Sequence, residues 1–481
     1  MFLGLDLGTS GLRALLVSPE QQVIGEAEAA YAVSHPHPGW SEQTPGDWTE
    51  ACATCIRTLV ANHPAEMAAL QGIGTSGQMH GATVLDAEGT PLRPCILWND
   101  TRAHAEAAAL DTAPIRALSG NIVFPGFTAP KLMWMSKHEP ELFARAAKVL
   151  LPKDYLTFWL TGTYAGDMSD AAGTTWLDVG ARAWSDTLLE ASNMRADQMP
   201  ALAEGCEGVG TVSPKRAAEL GLPANIPVVA GGADNAAAAC GVGALADGDG
   251  FVSLGTSGVL LLARDAFSPA PDTAVHSFCH AVPNRWYQMG VILSATDSLN
   301  WLAKITGQSP AALTSGLGPL QEPSRGLFLP YLSGERTPHN DASIRGAFTA
   351  LDIADGPHDL ARMVMEGVAF ALRDCLEALR AAGAEPKRLL AIGGGAQSAY
   401  WVELIATVLN VPLDMPARGE FGAALGAARL AIVGATGQDP EAVMTRPQIA
   451  STVQPNTALV DAYANAYTRY RAAYPTLRSL P

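Results

Sequence analysis

Residues Leu7-Gly8-Thr9-Ser10-Gly11 read LGTSG, and Leu254-Gly255-Thr256-Ser257-Gly258 read the same. Each copy ends a short apolar run containing Gly or Ser and opens another, Leu12 to Val17 and Val259 to Ala263. A strand, a tight polar turn and a returning strand make a β-hairpin. Glycine lets backbone approach a ligand with no Cβ in the way, and successive N–H groups beside Thr and Ser hydroxyls form a concave donor surface for phosphate oxygens. A single tip of this kind is an ordinary turn. Two identical tips half a chain apart predict two phosphate-facing hairpins, Gly8, Thr9 and Ser10 on one side of a cleft and Gly255, Thr256 and Ser257 on the other.

The copies differ one residue upstream, where Asp6 precedes the first and Ser253 the second. Hard cations such as Mg²⁺ take oxygen ligands, often one or two carboxylates together with substrate phosphates. Asp6 is therefore the expected metal residue, binding directly or through water.

With 481 residues, 48% of them hydrophobic and 16% charged, the chain is too long for one core and too apolar for disorder. A net charge of −16 excludes the basic face that nucleic acid or an anionic membrane requires, while leaving room for a nucleotide held by local glycines and a cation. No segment approaches the roughly 18 apolar residues of a membrane span. The first residues carry no basic leader region, so a cytoplasmic location is expected. Seven scattered cysteines do not form a disulfide framework, and Cys52 and Cys55, although spaced CxxC, lie in a stretch that reads as helix from Trp48 to Val60. The run His35-Pro36-His37-Pro38 is an extended loop, at the surface or approaching the cleft.

Along the chain, Val23 to Tyr31 predicts a third strand, and a helix from about Pro45 to Val60 follows with Asp47 as its cap. Gly72 to Ser76 is a short strand ending in GQMHG, Gly77 to Gly81. Polar side chains bracketed by glycines at a strand end suit a small-ligand site, with Gln78 and His80 bonding hydroxyls and Met79 as a soft apolar wall. Pro94 to Trp98 predicts another strand, delivering Asn99, Asp100 and Arg102, which form either a surface pair or an orienting pair for sugar hydroxyls. Gly126 to His138 enters an amphipathic helix on which Lys131 is buried against a carboxylate or exposed.

In IPVVAGGADNAAAACGVGAL, Ile226 to Leu245, a buried strand meets paired glycines and then a small-residue helix, with Asp234 and Asn235 at its start. Asp is a good helix cap, but a cap explains neither the glycines nor Asn235, and the placement suits a general base at the mouth of a cleft. A boundary falls near Ala246 to Gly250, dividing the chain into 1–246 and 247–481. In the second part, Ser294 to Ile305 and Asp359 to Ala381 read as helices, the latter with a core stripe of Leu360, Val364, Val368 and Leu372, while Pro330, Gly334 and Pro338 keep LPYLSGERTPHND irregular. LLAIGGG, Leu389 to Gly395, is a strand running into three glycines before a helix from Ser398. That bare backbone lets an adenosine lie flat, which nominates Gly394, Gly395 and Ser398.

Two phosphate hairpins followed by a glycine-rich adenosine loop resemble the actin-like ATPase superfamily. Within it GFTAPKLMWMSKH and the stretch from Gly346 to Glu366 are similar to the two signatures of the FGGY carbohydrate kinases, with Ala350 and Met363 departing from the second. PHPGWSEQ, GQMHGATVLD, ILWND, PGFTAPKL, LLPKDYL, DMSDAAGT, HSFCHA and LPYLSGERTPHN look like the branch of that family acting on D-xylulose. The resemblance implies an α/β fold of two ribonuclease-H-like domains, mixed sheets flanked by helices, with a sugar side in 1–246 and a nucleotide side in 247–481. It implies ATP with Mg²⁺ between them, Met79 and His80 lining the sugar site, and Asp234 deprotonating the sugar hydroxyl. The remaining readings are a family kinase for ribulose, gluconate or glycerol, and a chaperone-like ATPase switch. A homodimer is compatible with all of them.

Overall fold

The computed structural model describes residues 1–417 and 422–480. Its first half is built on β1 (Phe2–Leu7), β2 (Gly11–Val17) and β3 (Val23–Ala30), an antiparallel meander whose first turn is the LGTSG tip. The next helix, α1 (Pro45–Asn62), buries Trp48, Cys52, Cys55, Ile56 and Leu59 at helical spacing. It starts from Thr44 with Pro at its first position, and Asp47 lies in the first turn rather than at the cap. Pro supplies a preset φ where no N–H partner is needed, so this helix begins without a capping side chain. Both CxxC cysteines are buried on α1 and unpaired.

Strand β4 (Gly72–Gly77) runs parallel to β1, setting Ser76 beside Asp6. Of the strand expected from Pro94 to Trp98 only Cys95–Ile96 is extended, paired with Glu42–Gln43. Helix α2 (Thr128–His138), β5 (Gly208–Thr211), β6 (Pro227–Val229), β7 (Gly232–Ala233) and α3 (Asp234–Val242) complete the half. The sheet order is β5-β6-β4-β1-β2-β3, with β7 also against β4. Gly231, at φ +81, makes the turn between β6 and β7, and a Cβ there would strike the carbonyl of Thr75.

The second half repeats the plan. β8 (Gly250–Leu254) and β9 (Gly258–Arg264) are the second hairpin, followed by β10 (His276–Cys279) and β11 (Trp286–Ile292). Helix α4 (Pro357–Ala381) buries Val364, Val368 and Leu372 as expected, with Leu360 half-buried. Then come β12 (Leu389–Ile392), α5 (Ala399–Leu409), β13 (Leu413–Pro416), α6 (Ala423–Thr436), β14 (Ile449–Val453) and α7 (Val460–Arg478). The order is β10-β11-β9-β8-β12-β13-β14, and β8 lies parallel to β12 as β1 does to β4. Two mixed seven-stranded sheets flanked by helices are the α/β architecture that the resemblance implied, and each has at its centre one of the two hairpins expected from the repeat.

Helices α3 and α6 lie where the halves meet. Ala236 and Ala239 of α3 and Leu430 and Ala431 of α6 share one buried cluster with Phe2 of β1 and Phe251 and Leu261 of the second hairpin. α6 lies between β13 and β14 of the second sheet in sequence but packs on the first: a Cβ at Gly4 would meet the Ala424 carbonyl, and one at Gly74 the Ala427 carbonyl. Among the described residues no helix is long and apolar enough to cross a membrane.

Candidate active site

The first tip is held from several sides. The Gly8 N–H bonds the Gly11 carbonyl at 3.0 Å and closes the turn. Tyr31 donates its hydroxyl to the Gly8 carbonyl at 2.6 Å, and Gln43 donates to the Thr9 carbonyl at 2.6 Å. Gln78 donates its amide to Gln43 at 2.9 Å and accepts the Thr9 hydroxyl at 3.5 Å, while Trp98 donates its indole N–H to Thr9 Oγ1 at 3.0 Å. A buried amide chain thus positions a tip whose Ser10 side chain stays exposed. Asp6 stands half-buried immediately before it.

The second tip is fixed by the helix Thr296–Thr306. The N–H of Ala295 bonds the Thr256 carbonyl at 2.8 Å, and Thr296 bonds the Gly255 carbonyl through both its N–H, at 3.0 Å, and its hydroxyl, at 2.7 Å. With these carbonyls occupied, Thr256 and Ser257 themselves stay exposed. Beyond β12, Gly393 adopts φ +88, and at Gly394 a Cβ would meet nothing within 4 Å, so this backbone borders open space. Ser398 accepts the Trp401 N–H at 3.3 Å and caps α5.

Between the halves lies a cavity of about 280 Å³, at the small end of ligand pockets. Met79, His80, Asp234 and Asn235 line it from the first half, and Ser257, His276 and Arg336 from the second. Asp234 is the first residue of α3, with Ala233 in the cap position. Its Oδ1 accepts the Asn235 backbone N–H at 2.6 Å and side-chain amide at 2.9 Å. Burial pushes its carboxyl up to about 6, and those two bonds restrain the rise. The group is therefore ionised at neutral pH yet more basic than a solvated carboxylate.

His80 sits at φ +67, a left-handed conformation that a surrounding frame must hold. Its backbone carbonyl accepts Lys131 Nζ at 2.8 Å and the Thr128 hydroxyl at 3.1 Å, and its Nδ1 lies 2.8 Å from the Gly173 carbonyl. Lys131 is fully buried, and burial lowers its ammonium to about 7, so it meets a carbonyl rather than the direct carboxylate partner considered from the sequence. His80 stacks on Phe127 at 4.6 Å between ring centres, and burial, with Lys131 nearby, holds it neutral at about 3.

Gln78 and Asp100 do not line the cavity. Gln78 braces the first tip, as described. Asp100 is 1% exposed and accepts the Ser41 N–H and the Arg102 guanidinium, each at 2.6 Å, and Arg102 also pairs with Glu42 at 2.7 Å. Two residues apart on a loop, an acid and a base point to either surface or interior, and only the fold turns this pair inward, under the ring of Trp40.

Behind Asp234, Lys153 pairs with Asp154 and, at 2.7 Å, with Asp167, beside the fully buried Asp170. Ser169 donates to Asp167 at 2.5 Å and accepts the Ala233 N–H at 3.0 Å, tying the residue before Asp234 to this cluster. The three carboxylates stand close enough for a cation, but the Lys153 ammonium already supplies the positive charge among them.

Sequence reasoning missed Phe124, Phe127, His276, Met289 and Arg336 as cavity residues. His276 and Arg336 belong to HSFCHA and LPYLSGERTPHN, stretches notable in the sequence but offering no spacing that points to the cleft.

The chain is also similar to known proteins. Residues 1–241 match the model for the N-terminal domain of the FGGY family of carbohydrate kinases, and residues 250–435 match that for its C-terminal domain. The chain is 47% identical to the xylulose kinase of Escherichia coli K12 over 439 residues, 90% of each protein. It is similar to the crystal structure of a xyloylose kinase from Brucella ovis, with 56% identity, a TM-score of 0.98 and full coverage of both chains. The xylulose kinase structure from Rhodospirillum rubrum aligns with a TM-score of 0.91 at 28% identity over 99% of each chain.

Proposed function

This chain belongs to the FGGY family of carbohydrate kinases, and we propose that it transfers the γ-phosphoryl group of ATP to the 5-hydroxyl of D-xylulose, forming D-xylulose 5-phosphate. The observation that carries the reading is the composition of the cavity: Asp234 from one half and the Ser257 tip from the other border the same small space.

Phosphoryl transfer needs alignment and charge stabilisation more than covalent chemistry from the protein. Asp234 receives the proton of the 5-hydroxyl. Both Asn235 bonds fall on Oδ1, which orients the carboxylate and leaves its second oxygen for the hydroxyl. Met79 and His80 wall the sugar, and the neutral imidazole exchanges a hydrogen bond with a hydroxyl rather than a charge. The tips of Gly8, Thr9 and Ser10 and of Gly255, Thr256 and Ser257 take the phosphates, and the open backbone at Gly394 takes the adenosine, with Ser398 starting the helix beside it; Gly395, expected to share this role, is instead buried against Leu254 and Thr296. Approach of the halves excludes water that would otherwise accept the phosphoryl group. Residues 1–246 serve the sugar and 247–481 the nucleotide, although 418–421 and Pro481 lie outside the described residues and α6 packs on the first sheet.

The first tip suits Mg²⁺ better than the Asp154, Asp167 and Asp170 cluster does: half-buried Asp6 precedes the tip directly, whereas that cluster already holds Lys153. Asp6 would hold the ion, which neutralises phosphate charge when bound. A cytoplasmic setting suits ATP use and seven free cysteines.

A coupled ADP-release assay over D-xylulose, D-ribulose, D-gluconate and glycerol tests the reading. D-Xylulose is expected to show the highest kcat/KM, and a different preferred acceptor would displace it.

A further inference from the structure

At one end of the cavity a guanidinium stands without a carboxylate. Arg336 comes from the loop after the strand Leu327–Leu329, lines the cavity, and lies 4.9 Å over the ring of Phe124. Its neighbour Glu335 accepts the backbone N–H groups of Leu293, at 3.0 Å, and Arg336, at 2.8 Å. Burial raises the Glu335 carboxyl to about 8, and its Oε1 is taken by two backbone N–H groups rather than by the guanidinium. Among the described residues no carboxylate forms an ion pair with Arg336.

The surroundings are aromatic. Phe124 lies 5.1 Å from His276 and 5.3 Å from Phe127, which stacks on His80. His276 is 2% exposed, lines the cavity, and its Nδ1 has no hydrogen-bond partner. A buried donor-acceptor atom left unmatched at a cavity wall awaits a ligand atom. Burial, with Arg336 nearby, lowers the basicity of His276 and adds to the lowering at His80. The guanidinium lies over Phe124, whose ring is 5.1 Å from His276, which places it beside the histidine wall of the cavity.

We propose that Arg336 and His276 form a polar grip for the non-reacting end of the acceptor, the C1 hydroxyl and C2 carbonyl of a ketose, so that the C-terminal half selects the sugar the N-terminal half deprotonates. This rests on the ketose reading above. A fork of guanidinium donors fits a carbonyl oxygen and an adjacent hydroxyl together, and the imidazole completes the hydroxyl. A polyol meets this fork with a tetrahedral hydroxyl in place of the planar carbonyl, a poorer match to two parallel donors, which weakens binding by up to about tenfold. Because the grip comes from one half and the base from the other, the correct sugar bridges the cleft.

The test is calorimetric binding of D-xylulose, xylitol and ATP to the full-length enzyme and to its Arg336→Gln, Arg336→Lys, His276→Leu and His276→Asn variants, with Tm recorded for each. Arg336→Gln should weaken D-xylulose about 10- to 100-fold and bring the xylitol to D-xylulose ratio of dissociation constants toward one, with Arg336→Lys intermediate. His276→Leu should lose about tenfold and His276→Asn, which keeps a polar atom, distinctly less. Unchanged D-xylulose binding in Arg336→Gln, an equal loss for both acceptors, or a loss confined to ATP overturns the grip. If Arg336→Gln does not fold, Arg336→Lys and His276→Leu decide by the same criteria. Wild-type enzyme that turns over another acceptor in place of D-xylulose overturns the function reading, whereas D-xylulose turnover with unaltered variants overturns the grip alone.

Discussion

Lys131 donates its buried ammonium to the backbone carbonyl of His80 at 2.8 Å. A helix thereby holds a left-handed residue at the cavity wall by a charge that, among the described residues, has no direct carboxylate partner. The arrangement favours precise placement over stability, since burial drives the ammonium toward its neutral form.

Lys131→Met should therefore separate activity from stability. Thr128 still bonds the same carbonyl, so His80 loosens rather than collapses, and kcat/KM should fall about tenfold. The native lysine titrates near 7 and the unfolded one near 10.4, so the unfolded state binds more protons between those values and wild-type stability gains with pH there. Urea unfolding should show the difference between wild type and Lys131→Met moving in favour of wild type from pH 7 to 10. A pH-independent difference would contradict the buried-charge account.

Asp234 gives the sharper pH signature. With its carboxyl raised to about 6, kcat/KM should fall with unit slope below that pH. Asp234→Asn should lose about 10² to 10⁴ in turnover while still binding sugar. The folded residue keeps its proton to higher pH than the unfolded one, near 3.9, so ionisation lowers stability between about pH 4 and 6 and that loss persists above it. Asp234→Asn should thus show a Tm above wild type at pH 7.5, with the gap closing toward pH 4. A stabilised, inactive variant identifies a functional carboxylate. An unstable one identifies a structural residue.

These residues show what was legible in sequence. The two tips, their flanking strands and the α3 start carry local signals: glycine, hydroxyls and a change of hydrophobic period. They were readable because turn chemistry is local. Burial is not local. Nothing in WNDTR says that Asp100 turns inward to Arg102, nor in GQMHG that Gln78 braces a tip while its neighbours Met79 and His80 face the cavity. Arg336 and His276 are brought to the cleft by connections within the second half, and α6 reaches the first sheet through backbone contacts at glycines.

That packing can be broken with one methyl group. Gly4 and Gly74 sit directly beneath the carbonyls of Ala424 and Ala427, backbone atoms that cannot swing aside. Gly74→Ala should destabilise the protein by about 3 kcal/mol, as overpacking of a close-packed interior does. Urea unfolding monitored by tryptophan fluorescence should show the midpoint falling. Gly437→Ala, a change with nothing within 4 Å of the added Cβ, should cost only the strain of its φ of +68.

Gln78 offers a test of bracing against sugar contact. It donates to Gln43, which in turn holds the Thr9 carbonyl. Gln78→Leu removes that link and the acceptor of the Thr9 hydroxyl, while Trp48 still donates to Gln43 at 3.0 Å, so the first tip should lose definition without collapsing. The expected result is a kcat about tenfold lower with D-xylulose affinity within about threefold of wild type. A selective loss of sugar affinity would return Gln78 to the sugar site.

The inequality of the tips gives the last prediction. Asp6 is the sixth residue of the chain and pairs in register with Ser76, whereas the matching position of the second hairpin is Ser253, beside Ile392. If Asp6 holds the cation, Asp6→Asn should raise the Mg²⁺ concentration needed for half-maximal rate by about tenfold or more while leaving D-xylulose binding intact. Adding a carboxylate at the other tip is not equivalent. Ser253→Asp would face nucleotide phosphates without the first tip's metal to offset it, so the ATP KM should rise, and more at low ionic strength, where like charges are least screened. Magnesium titrations at two salt concentrations distinguish the outcomes. Equal responses of the two variants to Mg²⁺ would show that the metal site is shared between the tips instead of belonging to Asp6.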